Sequence, residues 1–273
     1  HFATMNSIAR RTVALFWPLF SEQAGFHFPY RPPQFLTLET AQFFLGKIID
    51  SMLDRGAFSS VSIPRHRLYS QVLDNLNKSA VVGFPYTEIG AKLSAAWVGE
   101  SSQLNVYADL QVAVNSFRSF CLENNLLDFS LQVQLFREFV WQDTLCRRYL
   151  TNQFAHLIYD NSEEDPPYVH DVLLEWMPSF KSALMIYDEG AGYRVFLGAD
   201  PHSSWRLHEK AQHTRELNQS FTASPEVALL RNNLVSPEKS SPYQVLEYAT
   251  LTKVLHIPEQ PLRFYQQMLA DVA

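Results

Sequence analysis

Hydrophobic positions recur along this chain at two different spacings. From residue 37 to residue 141 they fall at i, i+3 and i+4, the period of a helix face. Leu38, Ala41, Phe44, Leu45, Ile48 and Ile49 form the first such face, with Thr37 placed to cap it. Leu68, Val72, Leu73 and Leu76 form the next, and residues 86–97 a third. The longest runs over 104–124 with Val106, Leu110, Val114, Phe117, Phe120 and Cys121 on one side, and a last helix is predicted over 128–141. Gly56, Pro64 and the GFPY break at 83–86 punctuate the run. Ahead of it, Thr4 or Asn6 is placed to cap a helix carrying Ile8, Val13 and Leu15, predicted to end before Pro18. The proline- and aromatic-rich residues 25–33 read as a connection packed on its neighbours, or as an aromatic platform for bases.

The second spacing is a short continuous run. Residues 155–159 and 183–187 are apolar, and each run is followed by an aspartate, Asp160 and Asp188. Such runs predict buried strands of a parallel sheet. Between them lie an acidic turn and a helical pattern over 168–176, so the segment predicts a βαβ unit. Ligands of such units sit at the carboxyl ends of the strands, where both aspartates fall.

These residues carry a resemblance. HLIYDNSEED at 156–165 resembles motif II of the UvrD/Rep superfamily 1 DNA helicases, usually hhhVDEFQDTN, and ALMIYDEGAGYRVFLGAD at 183–200 resembles their motif III. LNQSFTAS at 217–224 resembles motif IV, ATMNSIARR at 3–11 resembles motif Ib, and NLLDF at 125–129 resembles the segment leading into motif II. The blocks come in the family's order over most of the chain. The resemblance implies an α/β fold: a partial RecA-like (P-loop NTPase type) parallel sheet with an inserted all-helical subdomain. It divides the chain into the start of a first motor domain (1–24), the helical insertion (25–145), the rest of that domain (146–236), and a linker with the start of a truncated second motor domain (237–273). Within the last two, a helix is expected over 226–234, a linker over 237–242, a strand over 245–248 and a helix over 261–272.

The resemblance also implies chemistry. The parent family couples ATP and Mg2+ to movement on DNA in repair or recombination. Asp160 takes the magnesium-facing position, and Asp188 closes the neighbouring strand. Thr4, Asn6 and Ser7 fall where the family touches the phosphate backbone of single-stranded DNA. Phe196, with Tyr193 beside it, falls where an aromatic stacks on a base. Each has an alternative: Thr4 or Asn6 as a helix cap, Phe196 as a core residue, Asp160 as a strand-end turn residue.

The departures from the family are specific. Its catalytic glutamate position holds Asn161, and an amide cannot accept the proton of an attacking water. Its motif III glutamine and arginine fall on Ala191 and Leu197, and its motif IV arginine on Thr222. Glu163 and Glu164, with Asp165, either replace the missing base or form a solvated acidic turn. No GxxxxGK[ST] phosphate loop occurs in the sequence. The chain begins almost on the motif Ib block, so it reads as an excised piece that does not hydrolyse ATP alone. A motor-dead helicase-like subunit and a protein-interaction module are the alternatives.

Composition narrows this reading. Of 273 residues 47% are hydrophobic, enough for sizeable cores, and the net charge of −6 gives no support to tight stand-alone DNA binding. Arg65, His66 and Arg67 form a basic patch or a solvated loop. Cys121 and Cys146 lie in helical patterns without disulfide or zinc spacing, which makes a reduced cytoplasmic setting the default. No apolar run approaches the ~18 residues of a membrane span, and no membrane partner is expected. His202, His208 and His213 are expected on the surface. The expected partners are single-stranded or junction DNA and proteins of a repair complex.

Overall fold

The computed structural model describes residues 2–189, 191 and 193–217. Contacts divide the chain into His1–Gln212 and His213–Ala273. The architecture below is that of the first unit. Most of the motif IV block, with Thr222, and every element expected over 226–272 lie outside the described residues, as do Gly190, Gly192 and the side chain of Tyr193.

Helix α1 (Met5–Phe20) starts where its cap predicts: the Thr4 hydroxyl accepts the Ser7 N–H at 3.2 Å. It does not stop before Pro18. Pro18 sits in the last turn, where the missing N–H and its clash act on little remaining helix. Buried Trp17 and Phe20 hold that turn in place, with Phe26 packed edge-on against Trp17 at 4.5 Å. Leu15 faces solvent rather than the core.

The chain then enters β1 (Gln34–Phe35), α2 (Leu38–Leu53, capped by Thr37) and α3 (Arg65–Val82). Residues 65–67 are not a loop. They form the first turn of α3, and Arg65 pairs with Asp50 at 2.9 Å. Gly83 ends the helix at φ +99°, the left-handed conformation of a C-terminal glycine. A 3-10 turn leads into α4 (Ile89–Ala96), and α5 (Ser102–Glu123) follows. Strand β2 (Leu126–Leu127) pairs in parallel with β1, Gln34 opposite Leu126. The helices α2–α5 therefore leave and return through adjacent strands.

Helix α6 (Phe129–Leu135) is capped by Asp128 and widens into a π-helical turn, Phe136–Val140, before α7 (Thr144–Gln153). Asp128 is buried, and Arg118 of α5 donates to it at 2.8 Å. Asn125, at φ +52°, donates from its amide to the carbonyls of Phe28 at 2.6 Å and Arg31 at 3.1 Å. That anchors the 25–33 connection, although Tyr30 remains exposed.

Strand β3 (His156–Tyr159), helix α8 (Pro167–Trp176) and strand β4 (Ser182–Met185) form the predicted parallel βαβ unit, with His156 opposite Ser182 and Tyr159 opposite Met185. A short helix, α9 (Pro201–Trp205), follows. The protein is thus α/β, mostly helical, with two small parallel sheets among the described residues. The strands are not buried on both sides. Leu157, Tyr159 and Met185 pack toward the core, while Ile158 is 74% and Leu184 55% exposed. Alternate side chains of a strand point to opposite faces, and the described residues cover one face of this strand pair. One continuous core runs from Ala9 through the helices to Leu207. Cys121 and Cys146 are buried, unpaired thiols. No helix among the described residues is long and apolar enough to cross a membrane.

Candidate functional site at the carboxyl edge of the second sheet

The two aspartates lie beyond the same edge of one sheet. Asp160 directly follows β3, and Asp188 lies three positions past the end of β4. Parallel pairing places both exits on one rim. The backbone holds them there: the Ser162 N–H reaches the Ile186 carbonyl at 3.1 Å, and the Ile186 N–H the Tyr159 carbonyl at 2.8 Å. Both aspartates are exposed. One Asp160 oxygen accepts the N–H of the next residue, Asn161, at 3.1 Å.

The acidic turn is packed rather than solvated. Asn161 takes a left-handed conformation, φ +52°, which asparagine tolerates better than most residues. It turns the chain inward, so Ser162 and Glu163 are each only 2% exposed. Glu163 accepts the Asp188 N–H at 3.1 Å. Glu164 pairs with Arg194 at 3.2 Å, and the Tyr159 hydroxyl donates to Asp165 at 2.9 Å. Burial pushes the Asp165 carboxyl above its ordinary range, against the lowering effect of the Tyr159 hydrogen bond and of His170 and Arg194. Tyr159 itself is pushed up by burial and by the Asp165 charge.

His170, fully buried on α8, ties this turn to α9. Its Nε2 lies 2.9 Å from the Ser162 carbonyl and its Nδ1 3.0 Å from the Ser203 hydroxyl. The first contact requires a proton on Nε2; the neutral ring then accepts the Ser203 proton at Nδ1. Burial lowers its pKa. Neither His170 nor the Tyr159–Asp165 pair is apparent from the sequence. The one available signal was that His170 falls on the apolar face of the α8 pattern.

The candidates near the N-terminus lie at the start of α1, which touches the start of α8. Thr4 caps α1, and Ser7 returns the contact by donating its hydroxyl to the Thr4 carbonyl at 2.8 Å. Asn6 is used structurally: its side-chain oxygen accepts the Tyr168 hydroxyl, and its carbonyl accepts the Gln132 amide at 3.1 Å. Tyr168 opens α8 just after the acidic turn, so this bond links α1 to the β3–α8 segment.

Phe196 is not a core residue. It sits on the 3-10 turn Tyr193–Leu197 and is 73% exposed, between the exposed Val195 and Leu197. His202, His208 and His213 are exposed as expected, and His208 stacks on Trp205 at 4.6 Å.

Chemically, the rim offers two exposed carboxylates, Asp160 and Asp188, the neutral amide of Asn161, and a glutamate already engaged by a backbone N–H. Mg2+ is commonly held through one or two carboxylates together with substrate phosphates. Asp160 fits that role. The phosphate cradle does not occur in the sequence, and no cluster of three potential metal-ligating side chains occurs among the described residues. Among the described residues, Asp160 and Asp188 are exposed carboxylates at this rim. No protein-family model matches the chain, and no curated protein matches it significantly.

Proposed function

We propose that this chain derives from the motor of UvrD-like superfamily 1 DNA helicases, a RecA-like α/β domain with a helical insertion. In this reading it engages single-stranded or junction DNA in cytoplasmic repair or recombination without hydrolysing ATP itself. The observation that carries the reading is the parallel β3–α8–β4 unit with Asp160 and Asp188 beyond the same rim. The exposed Phe196 supports the DNA side of it, because a base stacked on an exposed aromatic contributes about 1–3 kcal/mol.

A second reading, a motor-dead subunit that holds DNA or repair proteins, is favoured by Asn161. Its amide stands where a general base is required, and Glu163 is committed to the Asp188 N–H. Two measurements test the proposal. Fluorescence anisotropy with a labelled oligonucleotide is expected to give binding that weakens steeply with salt. ATP hydrolysis with and without DNA is expected to stay at background. Turnover abolished by Asp160→Ala, or no DNA affinity at low salt, would defeat it.

A further inference from the structure

Away from the sheet rim, a cavity of about 410 Å³ opens between the end of α3, α5, the π-helical turn and α8. That volume falls within the ~300–1,000 Å³ of typical small-molecule sites. Its walls include Gly83, Tyr86, Arg118, Arg137, Trp141 and Glu175.

The hydrogen bonding of these walls is lopsided. The carboxylates are already supplied with donors. Glu175 accepts the Trp141 indole N–H at 3.0 Å and also takes Arg147. Asp171 takes Arg206 at 2.5 Å, and Glu138 takes the Gln134 amide at 3.1 Å. The guanidinium groups are not supplied with acceptors to match. Arg137 makes a single long contact, 3.4 Å to the Ala80 carbonyl, and has no carboxylate partner among the described residues. Arg118 is 97% buried by side chain; its Nη atoms reach Asp128 and Ser130, while its Nε has no partner. The groups left short are donors, so a complementary ligand brings acceptors.

The backbone builds the same opening. The Trp141 N–H bonds to the Phe136 carbonyl at 2.7 Å, the i→i−5 contact of a π-turn, and such turns recur at functional sites. The turn carries Arg137 and ends at Trp141. Across from it, Gly83 leaves room for the guanidinium: a Cβ there would lie 2.8 Å from the Arg137 Nη2. The half-buried rings of Phe84 and Tyr86, each with a cation over one face (Lys92 at 5.0 Å, Arg118 at 5.1 Å), give the cavity an aromatic wall, while Trp141 beside them is buried under Arg147.

We propose that this cavity binds a small organic oxyanion, a phosphate or carboxylate carried on a planar ring, with the charged group on Arg137 and the ring against the aromatic wall. This inference is independent of the helicase reading. A planar guanidinium presents paired N–H groups that match either oxyanion bidentately.

The test titrates the 273-residue chain with phenyl phosphate, benzoate and inorganic phosphate by calorimetry. Saturable binding of a ring-bearing probe is expected, weakened at least tenfold in Arg137→Gln and unchanged in Arg148→Gln, an exposed control. The tighter of phenyl phosphate and benzoate identifies the preferred oxyanion. Affinity for inorganic phosphate equal to that for phenyl phosphate, absence of saturation, or unchanged binding in Arg137→Gln would overturn the proposal. Should Arg137→Gln fail to fold, amide chemical shifts of the unaltered chain decide. With phenyl phosphate, movement of the Gly83 N–H and the Trp141 indole supports the site, and movement confined to other regions overturns it.

Discussion

The buried carboxylate of Glu163 accepts the backbone N–H of Asp188 at 3.1 Å, clamping the turn after β3 to the segment after β4. It adds a side-chain clamp to the backbone bonds from Ser162 to Ile186 and from Ile186 to Tyr159. Replacing Glu163 with Ala leaves the Asp188 N–H without its partner, a cost of about 1–3 kcal/mol if water does not replace it. Glu163→Gln keeps an acceptor oxygen and is expected to lose less. Amide exchange at Asp188, faster in the alanine variant than in the glutamine variant, checks the assignment.

Phe196 separates function from stability. Because it is 73% exposed, Phe196→Ala is expected to change unfolding free energy by no more than about 0.5 kcal/mol. If the DNA reading holds, the same change weakens oligonucleotide binding by about 1–3 kcal/mol, on the order of ten- to a hundredfold. Anisotropy and urea melts on the same preparation read both quantities. An altered melt together with unaltered DNA binding would return Phe196 to a packing role.

His170 makes stability depend on pH. Its folded-state pKa lies below the ordinary 6.5 because burial disfavours the imidazolium, an effect that outweighs the hydrogen bond to Ser162 and the attraction of Asp165 and Asp200, while Arg206 adds to it. The unfolded chain therefore takes up the proton more readily. The contribution of His170 is fully present above pH 6.5 and is lost as pH falls below that value. The raised Asp165 carboxyl acts in the opposite sense, its contribution being lost as pH rises. Urea melts between pH 7.5 and pH 5.5 are expected to show a loss in the native chain that is smaller in His170→Gln.

The buried pair of Arg118 and Asp128 is expected to tolerate removal of one partner badly. Asp128→Ala strands a guanidinium in the core and removes the α6 cap, for a loss of about 3–5 kcal/mol. Replacing both partners with apolar residues of similar size is expected to recover much of it. Denaturant unfolding of the single and double variants measures the difference.

The helices were legible where one face carries the burial. Thr37 and Asp128 start α2 and α6, and the α3 and α5 faces sit in the core as their spacing predicts. The βαβ unit was legible too, from two short apolar runs flanking a helical pattern, although β4 stops at Met185, short of the predicted end at residue 187. What escaped was set by distant parts of the chain. Strands β1 and β2 are two residues long each, too short for any period to register, and exist through their pairing across α2–α5. Pro18 stays within α1 because Trp17 and Phe20 bury the turn around it. The acidic turn reads as solvated in sequence, yet Glu163 is drawn inward by a backbone N–H belonging to a segment 25 residues away. His170 gains its role from Ser203, on another helix.

The parallel pairing of Gln34 with Leu126 has a consequence for how this protein tolerates change. Neighbouring strands run about 4.8 Å apart, so everything between them begins and ends at nearly one point in space. A length of polypeptide so closed is a cassette whose outer turns can be lengthened without moving its two ends, whereas its helices are not exchangeable, because α3 packs on α6 and α8 and Arg118 of α5 is locked to Asp128.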